Sequence, residues 1–209
     1  MSKPVSCHGL YAITDAQLIP DKQLTAAVEQ ALRGGARLIQ YRDKSTDATR
    51  RLAQAQALNT LCQHYEAPLI INDDVELAAQ AGAAGVHIGK DDPAFATARA
   101  RLGKKAIIGV SCYNQIDLAL DAEQAGADHV AFGAFFPSPT KPAEIRASIE
   151  LLREARARLR IPIVAIGGIT PENAPPLLKA GADVLAVISG VFGQPDIQSA
   201  AARYAALFA

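Results

Sequence analysis

Tryptophan is absent from the 209-residue sequence, aromatic residues make up only 5 %, and neither sign of charge is in excess. The 21 Lys and Arg residues balance the 21 Asp and Glu residues, so the formal net charge is zero. Proteins that bind nucleic acid usually carry a basic surplus that neutralises phosphates, so we expect no nucleic-acid partner. The hydrophobic content of 50 % excludes an intrinsically disordered chain.

Cysteine is scarce as well, and long apolar runs are missing. Cys7, Cys62 and Cys112 are far apart and form no Cys-x-x-Cys pair. This spacing argues against a disulfide framework or a structural zinc site, and it favours a reducing, cytoplasmic location. Residues 1–8 lack the apolar core of a signal peptide. No apolar run is long enough to cross a bilayer, so we expect no membrane partner.

Eight apolar segments rich in β-branched residues recur along the chain. Most of them are apolar at odd and even positions alike, which is typical of parallel strands covered on both faces. The segments are 10–14, 38–42, 68–73, 86–89, 106–111, 129–133, 162–167 and 184–189. Apolar residues at helical spacing lie between them, as in segments 24–32, 48–62 and 149–159.

A short pattern repeats four times, in segments 34–39, 81–86, 125–130 and 180–185. Each copy places a glycine between the end of a helical pattern and the start of a strand, where glycine can adopt the left-handed conformation. Eight strands, each followed by a helix, predict an α/β fold: a (β/α)8 TIM barrel with residues 1–209 in a single domain. An open doubly wound sheet is the alternative, but eight strands in series favour closure.

Catalytic residues of such barrels lie at the carboxyl ends of the strands. After the second strand, Gln40, Arg42 and Lys44 alternate and therefore point to the same side. If that side is inward, two cations reach the barrel mouth and need an anion, since an unpaired buried cation is costly. This indicates a phosphate or diphosphate site. The alternative is an inter-strand salt bridge. We favour the phosphate site, because two cations share one face at the catalytic end of the strand.

Oxygen-bearing side chains follow the third and fourth strands: Asn72, Asp73, Asp74, Asp91 and Asp92. Carboxylates at adjacent strand ends suit Mg²⁺, which proteins usually hold with one or two carboxylates plus substrate phosphate. The alternative is helix capping, by Asp74 before a helix over 75–81 and by Asp92 before Pro93. The neighbouring cations make metal binding the better interpretation.

The later strands end in hydroxyls and glycines. Ser111 ends the fifth strand and is a weak signal alone, because no Ser-His-Asp set lies near it. After the sixth strand, Ser138, Thr140 and Lys141 can clasp phosphate oxygens, or they form a rigid surface turn.

Gly168 ends the seventh strand, and Ile188 and Ser189 end the eighth. Loops at these two positions often bind phosphate in barrels. We interpret His87 and His129 as structural rather than catalytic.

Taken together, these motifs resemble the thiamine-phosphate synthase family over nearly the whole chain. The matching segments are 11–15 (YAITD), 40–44 (QYRDK), 71–74 (INDD), 85–89 (GVHIG), 108–111 (IGVS), 136–141 (FPSPTK), 165–170 (AIGGIT) and 187–189 (VIS). The resemblance implies that a pyrimidine diphosphate and a thiazole phosphate, the small-molecule partners, combine with Mg²⁺ present to give thiamine phosphate and pyrophosphate.

The resemblance also implies a role for each matching residue. Pyrimidine diphosphate would be held by Gln40, Arg42, Lys44, Asn72, Ser111 and Lys141, of which Arg42, Lys44, Ser111 and Lys141 form the catalytic group. Mg²⁺ would be held by Asp73 and Asp92. Thiazole phosphate would be held by Ser138, Thr140, Gly168, Ile188 and Ser189. The alternatives are a related thiazole tautomerase, which lacks the metal carboxylates, and a non-catalytic barrel that binds a phosphorylated ligand.

Overall fold

The computed structural model describes residues 7–89, 94–137 and 146–209. Eight parallel strands hydrogen-bond in chain order, and the first also pairs with the last, so the sheet closes into a barrel. The strands are β1 Gly9–Ile13, β2 Ala36–Tyr41, β3 Leu69–Asn72, β4 Gly85–Ile88, β5 Ile107–Tyr113, β6 His129–Phe132, β7 Ile163–Ile166 and β8 Val184–Val187. The predicted TIM barrel and all eight predicted strand positions are confirmed.

Helices surround this barrel in the described part of the chain. They are α1 Leu24–Arg33, α2 Ala48–His64, α3 Val75–Ala81, α4 Phe95–Leu102, α5 Ile116–Ala125, α6 Ile149–Arg158, α7 Pro175–Lys179, α8 Ser189–Phe192 and α9 Ile197–Ala205. The glycines of the repeat behave as predicted at the ends of α3 and α5. Gly82 and Gly126 both adopt the left-handed conformation there, with φ of 65° and 93°. None of the described helices is both long and apolar enough to span a membrane.

Alternation along each strand divides the buried residues into two cores. In β2, Leu38 belongs to the core inside the barrel, whereas Ile39 belongs to the larger core between barrel and helices. Because successive side chains point to opposite faces, Gln40 shares the inward face with Leu38. Gln40 therefore points into the barrel, the direction on which the phosphate-site hypothesis depends.

Candidate active site

The carboxyl end of β2 carries a buried amide. Gln40 donates a hydrogen bond from Nε2 to the Tyr11 hydroxyl over 2.8 Å, and both residues are almost fully buried. Burial raises the pKa of the Tyr11 phenol above its usual range, so this hydroxyl stays neutral. The bond fixes the orientation of the Gln40 amide below the mouth.

Arg42 already has a partner at the end of β1. Its Nη1 lies 2.9 Å from Oδ2 of Asp15, and its backbone N–H donates to the Thr14 hydroxyl over 2.9 Å. The Asp15 side chain is 7 % exposed and that of Arg42 is 26 % exposed. The inter-strand salt bridge considered as an alternative is thus present, and it holds a guanidinium that still reaches solvent at the mouth.

The two neighbouring carboxylates after β3 do different things. Asp73 forms an ion pair with Lys44, which comes from the loop after β2. Asp74 instead caps α3 by accepting the Leu77 N–H over 2.9 Å, and it pairs with Arg51. The capping interpretation is therefore correct for Asp74. Asp73, whose φ is 64°, is displaced from the helix and lies beside a mouth cation.

An arginine of α2 holds the loop that carries Lys44. Arg50 contacts Asp43 over 2.9 Å, Ser45 over 2.7 Å and Asp21 over 3.0 Å. Burial opposes ionisation of Asp43, but hydrogen bonds from Ser45 and Arg50 outweigh it and lower the pKa of this carboxyl. Sequence reasoning missed this cluster, since its members are distributed over α2 and two loops. Because Asp43 and Ser45 flank Lys44, their contacts with Arg50 hold the backbone on both sides of Lys44.

Ser111 lies at the end of a chain of three polar side chains. Its Oγ is 2.9 Å from Nε2 of His87, and Nδ1 of His87 is 3.2 Å from Nε2 of His129. The two imidazoles stack with 5.3 Å between their centroids. Burial, and secondarily the neighbouring His87, lowers the pKa of His129 to about 3, so His129 is neutral. The interpretation of the two histidines as structural did not foresee their link to Ser111.

Gly109 makes room for this histidine pair. It is the register partner of His87 on one side and of His129 on the other. A Cβ at position 109 would lie 1.9 Å from Nε2 of His129. A glycine inside a strand often marks the close approach of another group, but only the register shows that two histidines make this approach.

The Tyr204 side chain of α9 contacts the segments that follow β7 and β8. Gly168 has a φ of 60°, and a Cβ there would lie 2.2 Å from the carbonyl oxygen of Pro137. The adjacent Ile169 carbonyl accepts a 2.9 Å hydrogen bond from the Tyr204 hydroxyl. Ile188 and Ser189 follow β8 where α8 begins. Gly168, Ile188 and Ser189 thus stand at the carboxyl ends of adjacent strands.

The remaining predicted residues divide into two groups. Asn72 ends β3 in register with His87, so it lies beside the chain that leads to Ser111. Asp92, Ser138, Thr140 and Lys141 lie outside the described residues. Within residues 7–89, 94–137 and 146–209, no three His, Cys, Asp or Glu side chains group as a metal site. Among the described residues, Asp73 places a carboxylate beside Lys44 at the mouth.

The chain matches the family model of thiamine monophosphate synthase over residues 10–191. The chain belongs to this family. The thiamine-phosphate synthase of Nitrosococcus oceani is 60 % identical over 199 residues, which cover 95 % of this chain and 92 % of that protein. The thiamine-phosphate synthase of Thioalkalivibrio sulfidiphilus is 54 % identical, with 96 % and 95 % covered.

A solved structure also matches this chain over nearly its whole length. The structure titled thiamine phosphate pyrophosphorylase from Pyrococcus furiosus superimposes with a TM-score of 0.89 at 34 % identity, covering 99 % of this chain and 98 % of that one. The family predicted from the order and spacing of the motifs is therefore confirmed.

Proposed function

We propose that the chain joins hydroxymethylpyrimidine diphosphate to a thiazole phosphate and releases thiamine phosphate and pyrophosphate; with the carboxylated form of the thiazole phosphate, carbon dioxide is released as well. The observation that carries the proposal is the grouping, in a chain of this family, of the Arg42 and Lys44 cations with the Asp73 carboxylate at one barrel mouth. These charges complement a diphosphate and a cation bound to it.

The two cations act on the leaving diphosphate. Arg42 offers a planar guanidinium that matches phosphate oxygens, and Lys44 offers a mobile point charge. Both are held by carboxylates in the free protein, so the diphosphate replaces or extends these pairs when it binds. Lys141 adds a third cation in the proposal. Positively charged groups in place before the reaction stabilise the charge that develops as the carbon–oxygen bond breaks.

We also propose Mg²⁺ as the cofactor, held by Asp73 and Asp92. When bound, Mg²⁺ neutralises charge on the departing diphosphate oxygens. Asp73 fits this role, because its side chain is 29 % exposed and the Lys44 side chain that it pairs with is 62 % exposed. Lys44 can then turn from Asp73 to the diphosphate.

The remaining predicted residues would bind the rest of the two substrates. Gln40, Asn72 and Ser111 face the pyrimidine diphosphate in the proposal. Gly168, Ile188 and Ser189, with Ser138 and Thr140, would hold the thiazole phosphate, whose nitrogen captures the pyrimidine methyl carbon. Such a reaction depends on positioning and on exclusion of water rather than on a nucleophilic side chain. The buried free thiols Cys7, Cys62 and Cys112 fit the expected cytoplasmic location.

The proposal is tested by incubating the purified chain with both substrates, with and without Mg²⁺. We expect thiamine phosphate and pyrophosphate in equal amounts, and only when Mg²⁺ is present. Isomerisation of a thiazole phosphate without the pyrimidine substrate would indicate the tautomerase. Binding of both phosphorylated molecules without any product at any Mg²⁺ concentration would indicate a non-catalytic barrel.

A matched pair of variants tests the metal carboxylates. Asp92→Ala should lose Mg²⁺-dependent turnover while its circular dichroism spectrum stays that of the wild type. Asp91→Ala removes the adjacent carboxylate and should keep turnover. Equal turnover in Asp92→Ala and the wild type would remove Asp92 from the metal site.

A further inference from the structure

The buried chain from Ser111 through His87 to His129 has a direction that the hydrogen-bond geometry determines. His129 is fully buried, and among the described residues its Nδ1 has no hydrogen-bond partner. A neutral imidazole carries one N–H and one bare nitrogen. Because an orphaned buried N–H is rarer than an acceptor left unused, the bare nitrogen is Nδ1 and the proton is on Nε2.

The position of this proton sets the tautomer of the next ring. Nε2–H of His129 points at Nδ1 of His87, 3.2 Å away, so that nitrogen must accept. Neutral His87 then carries its proton on Nε2, which lies 2.9 Å from the Ser111 oxygen. Ser111 therefore accepts from His87, and its own hydroxyl proton is left to donate to a third group.

We propose that His129 is a positioning residue, which fixes the tautomer of His87 and thereby turns the Ser111 hydroxyl proton toward an acceptor atom of the pyrimidine diphosphate. The substrate part of this inference rests on the function proposed above. Ser111 is the member of the chain that touches substrate, whereas His129 acts two side chains away. The opposite tautomer would make Nε2 of His87 an acceptor, and the hydroxyl proton of Ser111 would then be consumed inside the protein.

The packing around the pair supports a single arrangement. Glycine at position 109 allows the two rings to meet, since a Cβ there would overlap His129. The ring of Tyr11 stands edge-on to His129, with 6.1 Å between centroids and an interplanar angle of 90°. A ring confined in this way cannot flip to exchange its nitrogens without disturbing the interior of the barrel.

The tautomers can be read directly by NMR of the full chain labelled with ¹⁵N-histidine. We expect His87 and His129 both to show a protonated Nε2 and a bare Nδ1. The other two histidines, His8 and His64, are exposed and serve as internal references. A protonated Nδ1 on either buried ring of the wild type would overturn the proposal, and this measurement does not depend on any catalytic activity.

Two nearly isosteric variants test the donor at position 129. Gln keeps an N–H at the place of Nε2, whereas Met fills the same volume without a donor. We expect His129→Gln to leave the His87 tautomer unchanged. His129→Met removes the donor that holds Nδ1 of His87 bare, so a second population with the proton on Nδ1 should appear. An unchanged His87 spectrum in a folded His129→Met would show that His129 does not set the tautomer. If that variant fails to fold, the wild-type spectrum and His129→Gln still decide.

The kinetic test separates positioning from a general loss of structure. His129→Met should lower kcat/KM for pyrimidine diphosphate about tenfold, which corresponds to one lost hydrogen bond, and leave the KM for thiazole phosphate unchanged. His129→Gln should stay within about threefold of the wild type.

In a Ser111→Ala background, His129→Met should have no further effect, since its action passes through Ser111. Additive losses in the double variant would contradict the inference. A wild type without synthase activity but with the expected tautomers would instead contradict the proposed function.

Discussion

The charged side chains of the mouth are paired across strands before any substrate arrives. Arg42 is held by Asp15 and Lys44 by Asp73, so neither cation bears the full cost of an unpaired charge in a partly enclosed site. A balanced net charge for the whole chain is consistent with this local pairing of opposite signs. The one fully buried titratable base of the Ser111 chain, His129, avoids that cost in another way, by remaining neutral.

His129 should make the stability of the protein depend on pH. Its folded pKa of about 3 lies below the ordinary value of 6.5, so the unfolded chain binds more protons between these limits and stability is lost as pH falls. From pH 6.5 to pH 5, this residue alone should lower the free energy of unfolding by about 2 kcal/mol. Urea unfolding of the wild type and of His129→Gln, which cannot titrate, measures the difference in slope.

The exposed His64 provides the control for that experiment. His64→Gln makes the same substitution at the surface and shows what the replacement of a histidine by Gln does without burial. If His129→Gln and the wild type lose stability in parallel between pH 6.5 and pH 5, His129 is not held neutral by burial.

At the scale of the elements, the sequence was informative wherever a single segment carries its own signal. The β-branched runs predicted every strand, and the glycine after α3 predicted its turn, because burial on both faces and a left-handed turn each leave a local pattern. The contact between His87 and His129 left no such pattern. It depends on the register of β4, β5 and β6, which only the closed barrel determines.

The adjacent residues Asp73 and Asp74 illustrate the same limit. Both follow β3 and are chemically identical, so residue type alone does not separate them. Only the position before a helix indicated the cap, and only the family resemblance singled out Asp73. The backbone separates them, because the left-handed φ of Asp73 turns it toward Lys44 while Asp74 begins α3. Asn and Asp tolerate that conformation better than most residues.

Asp74→Ala should therefore act on stability and hardly on activity. Loss of the cap on α3 and of the Arg51 pair should cost about 1 kcal/mol, or roughly 3 °C in Tm. Turnover should remain within about twofold, since Asp74 faces the helix rather than the mouth. Thermal unfolding and the pyrophosphate-release assay give the two readouts. A tenfold loss of turnover would place Asp74 in the site.

Asp73→Asn should show the opposite behaviour. Asn can keep the left-handed backbone, and the exposed Lys44 pair contributes little, so Tm should change by less than about 2 °C. Turnover should fall at least about tenfold, because the charge proposed to hold Mg²⁺ is removed. A Mg²⁺ titration of turnover should shift to higher concentration. An unchanged titration would exclude Asp73 as a metal ligand.

At the scale of the whole molecule, helix α9 near the end of the chain supports the loops that follow β7 and β8. The barrel closes where β1 meets β8, and α9 packs against α1 beside that closure. From α9, the Tyr204 hydroxyl lies between the Ile169 carbonyl and Gly190, so it connects the loops after β7 and β8. Burial raises the pKa of Tyr204 to about 12, which keeps the hydroxyl a neutral donor. Through Tyr204, α9 thus contacts both loops of the proposed thiazole-phosphate site.

Tyr204→Phe tests whether the site depends on this contact. The change removes one hydroxyl, leaves the Ile169 carbonyl without its donor, and should cost about 1 kcal/mol of stability. Because that carbonyl adjoins Gly168, the KM for thiazole phosphate should rise about threefold or more while the KM for pyrimidine diphosphate stays unchanged. Tyr65→Phe is the control, since it removes a hydroxyl that bonds Glu29 at the surface and should alter neither KM. Equal increases in both KM values in Tyr204→Phe would mean that α9 supports the barrel as a whole rather than the loops after β7 and β8.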